Sequence, residues 1–232
     1  MCGRYTLTVT WEELLAYYKL ERDIGLPPFH EPRYNIAPGQ MVPAIIHDGS
    51  KLRLGPLRWG LVPSWAKDDK MSWRTINARA ETLTDKPAFR IPFQRKRCII
   101  PADGFYEWKR VTNNDKQPMR IIPRNGGVLH LAGLYDTWQD EQGKRISTCT
   151  IVTTTPNRVM EEVHDRMPVI LSEHQLPLWL ERNEADIQQL QSLLAPCPNE
   201  WLTMYPVDSM VGNVSNDSPA CIEPTETPPM LF

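Results

Sequence analysis

Six short runs in the middle of the chain constrain its fold more than any other feature: "MVPAIIH", "LRLGPLRWGLV", "RCIIPADGFYEW", "MRIIP", "GVLHLAGLYDTW" and "STCTIVTTT". They are rich in Val, Ile, Thr and aromatic residues and bounded by Gly, Pro, Asn or Asp, the pattern of strands that end in turns. "RNGG" at 124–127 reads as a hairpin turn between two of them. The 22 prolines agree, because proline favours turns and strand edges and breaks helical bundles. Strands grouped together, with helical patterns outside the group, predict an α+β domain around a mostly antiparallel, barrel-like sheet. The 232 residues are ample for a real core, and no repeat or linker divides them.

The flanking helical patterns carry their own start signals. "TWEELLAYYKLER" begins at Thr10 with Glu13 three residues on, a capping box that predicts a helix over 10–22. "PNRVMEEVH" places Pro156 at the first helical position. "SEHQLPLWLER" has a box at Ser172 and Gln175, with Pro177 awkward inside it. "EADIQQLQSLLA" sets Ile187, Leu190 and Leu194 on one face. The Pro- and Thr-rich tail "SPACIEPTETPPMLF" reads as irregular.

Charge and cysteine usage narrow the function. A net charge of −2 excludes a uniformly basic nucleic-acid coat, so any such site must be a local basic cleft. No apolar stretch is long enough to span a membrane, and no signal peptide is visible. Five scattered cysteines without CxxC spacing fit reduced thiols in a cytoplasm. Cys98, Cys149 and Cys197 read as small buried hydrophobes. No Gly-rich phosphate loop, HExxH or GxSxG occurs, and neither a metal nor an organic cofactor is expected.

The chain opens "MCGRY". If Met1 is removed, Cys2 carries a free α-amine and a thiol on adjacent carbons. A residue as small as Cys at position 2 lets methionine aminopeptidase act. Several further segments are polar where a sheet wants apolar residues: "RYNIAPG", "WGLVPSW", "INARAET", "DGFYEW", "HDRMP" and "VGNV". Singly, each has a plain explanation. Glu107 would be an exposed strand residue, His164 a structural histidine, and Arg79 a solvated arginine.

Together, in this order, these segments resemble the SRAP (SOS-response-associated peptidase) family in its bacterial form, whose members crosslink to abasic sites in single-stranded DNA. The resemblance runs from "MCGRY" to "VGNV" and implies one domain over 1–218, followed by the irregular tail 219–232. It implies an α+β fold on a β-barrel-like sheet and a reactive Cys2 exposed by loss of Met1. Carried over by position, Asn77 would hold the opened sugar, Glu107 would move protons, and His164 would act at the sugar oxygen. Arg4, Arg79 and Arg166 would bind phosphates, while Trp65, Asn35 and Pro38 would shape the DNA surface. Where many relatives have a second aromatic after the "PSW" tryptophan, this chain has Ala66, and Trp73 beyond "KDDKMS" is the candidate substitute. The expected partner is single-stranded DNA with abasic sites, met in the cytoplasm, at the nucleoid when bound, by a monomer.

The chemistry asks for such residues. An α-amine has a pKa of about 7.7–8.0, so part of it is nucleophilic at neutral pH, and a thiol of about 8.5 is lowered beside cations such as Arg4. The amine converts the sugar aldehyde to an imine, which left alone invites strand cleavage. A thiol on the same residue closes it to a stable thiazolidine at high effective molarity. Two other readings use parts of the pattern. An N-terminal-cysteine hydrolase, even one that removes its own Met1, would use Cys2 but has no need of several arginines. A non-covalent single-strand binder would use the arginines and aromatics but not a terminal Cys2.

Overall fold

Thr10 starts the first helix as its spacing predicts. In the structure, a computed structural model that describes residues 2–22, 28–112, 115–182 and 186–225, the Thr10 hydroxyl accepts from the Glu13 amide at 3.2 Å. The Glu13 carboxylate in turn accepts from the Thr10 amide at 2.6 Å. Strand β1 (Tyr5–Leu7) precedes this helix, α1 (Trp11–Tyr17). The helix is shorter than the 10–22 pattern suggests. Lys19 turns left-handed (φ 52°), and the Leu20 amide reaches back to Leu15 O at 2.8 Å. Tyr18 at the turn is anchored inward, its hydroxyl 2.7 Å from Nδ1 of the buried His130.

The chain continues through β2 (Arg33–Ile36), β3 (Met41–His47), β4 (Leu52–Trp59), β5 (Asn77–Arg79), α2 (Pro87–Arg95), β6 (Arg97–Ala102), β7 (Gly104–Arg110), β8 (Lys116–Pro123), β9 (Leu129–Gln139) and β10 (Arg145–Thr154). After these come α3 (Arg158–Glu161), β11 (Met167–Pro168), β12 (Ile170–Leu171), α4 (Leu176–Leu180), α5 (Ile187–Ser192) and β13 (Leu202–Pro206). Strands β10, β4, β3, β6 and β9, with β9 returning to β10, close a five-stranded barrel and so remove its edges. Its seams are antiparallel except β4–β10, which is parallel at Arg58–Thr148 and Trp59–Cys149. A second, antiparallel sheet runs β13–β8–β7–β1–β2. The expected α+β class on a mostly antiparallel barrel is therefore correct. The core is shared by both sheets and includes Ile99, Leu131, Ile151, Phe105 and Ile121, all fully buried. Cys98, Cys149 and Cys197 are free, buried thiols within it.

The differences from expectation lie where the chain changes sheet. "RCIIPADGFYEW" is two strands, broken at Asp103. The Asp103 carboxylate accepts from the Thr8 amide at 2.6 Å and pairs with Arg120 at 3.3 Å, turning β6 in the barrel into β7 in the second sheet. "RNGG" is a turn, with Gly126 and Gly127 at φ 71° and 88°, but not a hairpin. It hands the chain from β8, paired with β7 and β13, to β9 in the barrel. In "PNRVMEEVH", Asn157 is the cap of α3, accepting from the Met160 amide at 3.0 Å, so Pro156 precedes the helix. Pro177 is tolerated because the Ser172–Gln175 box caps a separate 3-10 turn, and α4 starts afresh at Leu176. Asp186 caps α5, whose Leu190 is buried; Glu184 and Ala185 lie outside the described residues. Of the tail, Pro219–Ile222 forms a 3-10 turn with Cys221 buried, Pro224 bridges to Val207, and 226–232 lie outside the described residues. No described helix is long and apolar enough to cross a membrane.

Gly60 ends β4 at φ 122°, where a Cβ would lie 2.8 Å from the Ser72 carbonyl oxygen. Gly60→Ala is expected to destabilise the fold by about 1–3 kcal/mol. Calorimetry reads this directly, and an unchanged melting temperature would show that the neighbouring loop yields without cost.

Candidate active site

The site is built by one strand register. Tyr5 pairs with Phe105 and Thr6 with Gly104, and Arg4 O accepts from the Tyr106 amide at 2.9 Å. Continued toward the N-terminus, this register sets Gly3 opposite Glu107 and brings the Cys2 thiol near enough to feel the Glu107 charge. Cys2 is fully buried, and its carbonyl accepts from Asn77 Nδ2 at 3.1 Å. Asn77 arrives from the other side of the site. It lies on β5 opposite Ile151 of β10, so a barrel strand fixes its backbone. Its Nδ2 also donates to Ile76 O at 3.0 Å, whereas its buried Oδ1 has no hydrogen-bond partner among the described residues.

Glu107 is only 3% exposed, so the reading of it as a solvent-facing strand residue is overturned. Burial raises its pKa, favouring the protonated carboxyl, while the charge of the chain's N-terminal amine and, after it, that of His164 oppose the shift. The Cys2 thiol is also pushed well up, first by burial and then by the Glu107 charge, and a hydrogen bond from the Arg4 backbone counters this only in part. His164 is half-buried at the end of the loop after α3, its amide bonded to Met160 O at 2.8 Å. Its Nδ1 lies 3.0 Å from the Arg166 amide and 2.8 Å from Asp165 Oδ1. These contacts are alternatives: a bare Nδ1 accepts from the amide, a protonated one donates to the carboxylate. Cys2, Asn77, Glu107 and His164 thus meet where the second sheet crosses the barrel.

The arginines divide. Arg79 is exposed on β5, beside the cluster. Arg166 pairs with Glu81 through both Nη atoms. Arg4 points to the C-terminal segment, donating to Asn35 Oδ1 at 2.9 Å, Val211 O at 2.7 Å and Gly212 O at 3.0 Å, with its guanidinium 6.0 Å from the Trp108 ring. Asn35 does not reach the surface. It is fully buried and donates to the carbonyls of Val211, Asn213 and Asn216, supporting the face from beneath. Pro38 is half-buried, and its neighbour Gly39 lies under Trp73: a Cβ there would stand 3.2 Å from the ring. Trp65 is 60% and Trp73 69% exposed, an unusual waste of apolar surface for a lone monomer. Ala66 is half-buried, and its carbonyl accepts from Trp138 Nε1 at 2.7 Å. A cavity of about 610 Å³ lined by Tyr17, Tyr18, His47 and Leu176 shares none of these residues.

Two residues that matter here were not singled out from the sequence. Glu81 sits inside the quoted "INARAET", and its neighbour Arg79 drew the attention instead. Asp217 accepts from the amides of Tyr34 at 2.6 Å and Asn35 at 3.0 Å, and it pairs with Arg33. The "VGNV" segment works through backbone carbonyls, which residue identities do not announce.

The SOS response associated peptidase (SRAP) family matches residues 1–214. The chain is 48% identical over 223 residues to a protein of Bacillus subtilis named abasic site processing protein YoqW, covering 96% of this chain and 99% of that one. It is 30% identical over 272 residues to abasic site processing protein HMCES of Rattus norvegicus, covering 97% of this chain and 76% of that one. A crystal structure of a protein from Bacteroides thetaiotaomicron aligns with a TM-score of 0.86 at 25% identity, covering 97% of this chain and all 100% of that one. Matched in sequence and in fold along nearly its whole length, this chain belongs to the SOS response associated peptidase family.

Proposed function

We propose that this protein processes abasic sites in single-stranded DNA by capturing the lesion on Cys2 once Met1 has been removed. The observation that carries the reading is the convergence of Cys2, Asn77, Glu107 and His164 from the N-terminus, both sheets and the loop after α3, with exposed Arg79 beside them. The names of the relatives support the same substrate.

The freed amine attacks the aldehyde of the ring-opened sugar. A neutral carboxyl at Glu107 donates the proton with which the carbinolamine loses water, and the carboxylate so formed takes back the N–H proton of the iminium, leaving a neutral imine and a protonated Glu107. The Cys2 thiol, kept neutral by burial, then adds across C=N. Its sulfur bonds to carbon, and its proton passes by way of Glu107 to nitrogen, closing a five-membered thiazolidine with no redox change. His164 assists ring opening at the sugar oxygen, and the orphaned Asn77 Oδ1 accepts from a sugar hydroxyl. Trp65 and Trp73 offer faces on which unpaired bases stack. Reaching the sugar inside a duplex would require opening it, so single strands and junctions are the substrates.

The test is an intact mass to establish loss of Met1, followed by a denaturing gel with an oligonucleotide carrying one abasic site. A heat-resistant shifted band supports the reading. A cut strand without such a band means elimination without trapping, and neither product sends attention to amide substrates of a Cys2 hydrolase. Arg79→Ala is expected to weaken binding and lower the salt slope by about 0.7, the value for one single-strand phosphate contact. A slope equal to the parent's removes Arg79 from the phosphate contacts.

A further inference from the structure

The chain's own carboxylate takes both Nη groups of Arg166. Nη1 donates to Glu81 Oε1 at 2.6 Å and Nη2 to Glu81 Oε2 at 2.9 Å, while Nη2 also donates to Thr153 O at 2.7 Å. The Arg166 side chain is 11% exposed and that of Glu81 48%. Arginine is the embedded partner, held to a barrel strand, and Glu81 is the exposed one. Its 3-10 turn, Ala80–Thr82, follows directly on exposed Arg79, so the pair lies in the path of any strand that Arg79 touches. The pairing with Arg166 holds the Glu81 carboxyl below its usual range, so it is ionised at neutral pH.

A carboxylate and a phosphate present the same two-oxygen edge to a guanidinium, and one pair of Nη groups cannot hold both. We propose that Glu81 is an internal phosphate mimic that occupies Arg166 until a backbone phosphate displaces it. The proposal rests on the reading of Arg166 as a phosphate ligand. Opening the pair subtracts the same amount from the binding of every strand, damaged or intact. Its effect is therefore on residence: undamaged strands leave sooner, whereas a covalently held lesion does not leave at all. Glu81 would speed the search of undamaged DNA without weakening capture.

The test is equilibrium binding, by fluorescence anisotropy, of an intact single-stranded oligonucleotide and of one bearing a tetrahydrofuran abasic analogue, which has no aldehyde to trap. Glu81→Gln keeps the shape and removes the charge, and should tighten both by about fivefold, leaving their ratio unchanged. Asp85→Asn removes an equal charge four residues away on the surface without touching Arg166, and should change either constant by less than about twofold. With undamaged competitor in excess, Glu81→Gln should capture a true abasic site more slowly than the parent. Equal or weaker binding by Glu81→Gln would overturn the proposal and make Glu81 a support for Arg166. An equal gain from Asp85→Asn would overturn it too, since general charge then explains the effect. If the parent binds neither oligonucleotide, the functional reading itself fails, a result distinct from both.

Discussion

Cys2→Ala is expected to yield no heat-resistant covalent product, while still binding single-stranded DNA. The substitution deletes the thiol that closes the ring but leaves the register of β1 with β7, the Asn77 contact to the residue-2 carbonyl and the anchoring of Arg4 intact, since all are made by backbone or by other side chains. Alanine at position 2 also permits removal of Met1, so the amine survives. The variant should form an imine and then cut the strand, converting a protective reaction into a lyase. Cys2→Ser makes the same distinction more gently, with a hydroxyl that is a poorer nucleophile toward the imine. The gel with an abasic oligonucleotide reads both. A heat-resistant band from Cys2→Ala would place the nucleophile elsewhere and end the thiazolidine mechanism.

Glu107→Gln should lose about a hundredfold or more in the rate of capture, the usual range for a positioned general acid or base. The same change should raise the melting temperature at neutral pH, because the uncharged amide escapes the desolvation that burial imposes on a carboxylate. Both follow from burial. A carboxyl whose folded pKa is raised stabilises the fold below its unfolded value, near 4.3, and that contribution is lost as pH rises through the folded value. The parent should therefore lose stability across that window, and the glutamine variant should not. Rate follows the same proton. In the parent, capture should decline as pH climbs past the Glu107 pKa, whereas the variant should be slow and lack that limb. A slow variant that is no more stable would mark Glu107 as a positioning group, and an unchanged rate would remove it from the proton transfers.

The strand runs were legible because each is a short apolar segment with a turn at either end, and local chemistry of that kind survives any topology. Which strands pair was not legible. "RNGG" has the residues of a hairpin turn, yet closing the barrel with β6 and β10 gives β9 more buried pairing than β8 offers, so the turn joins two sheets instead. The break at Asp103 was hidden for the same reason: its partners Thr6, Thr8 and Arg120 are distant in sequence. In the site, Cys2 was visible from its position in the chain. The burial of Glu107 was not, since alternation along "GFYEW" allows either face to be inward. Asn35 lies in a quoted motif, but its work is to bind three carbonyls, and a carbonyl has no letter in a sequence.

The clasp of Arg4 and Asn35 on the carbonyls of residues 211–216 has a consequence during synthesis. Arg4, just ahead of β1, leaves the ribosome 207 residues before the Val211 carbonyl that it grips. A chain that terminates before residue 211 carries Cys2 and the Asn35 acceptor but lacks the Val211 and Gly212 carbonyls that also hold Arg4. Only a chain made past residue 212 has the full set of contacts that anchor Arg4, two residues from Cys2. The fold thereby ties the fastening of its N-terminal strand to translation past residue 212, so that a fragment cut short of it would hold Arg4 less firmly beside Cys2.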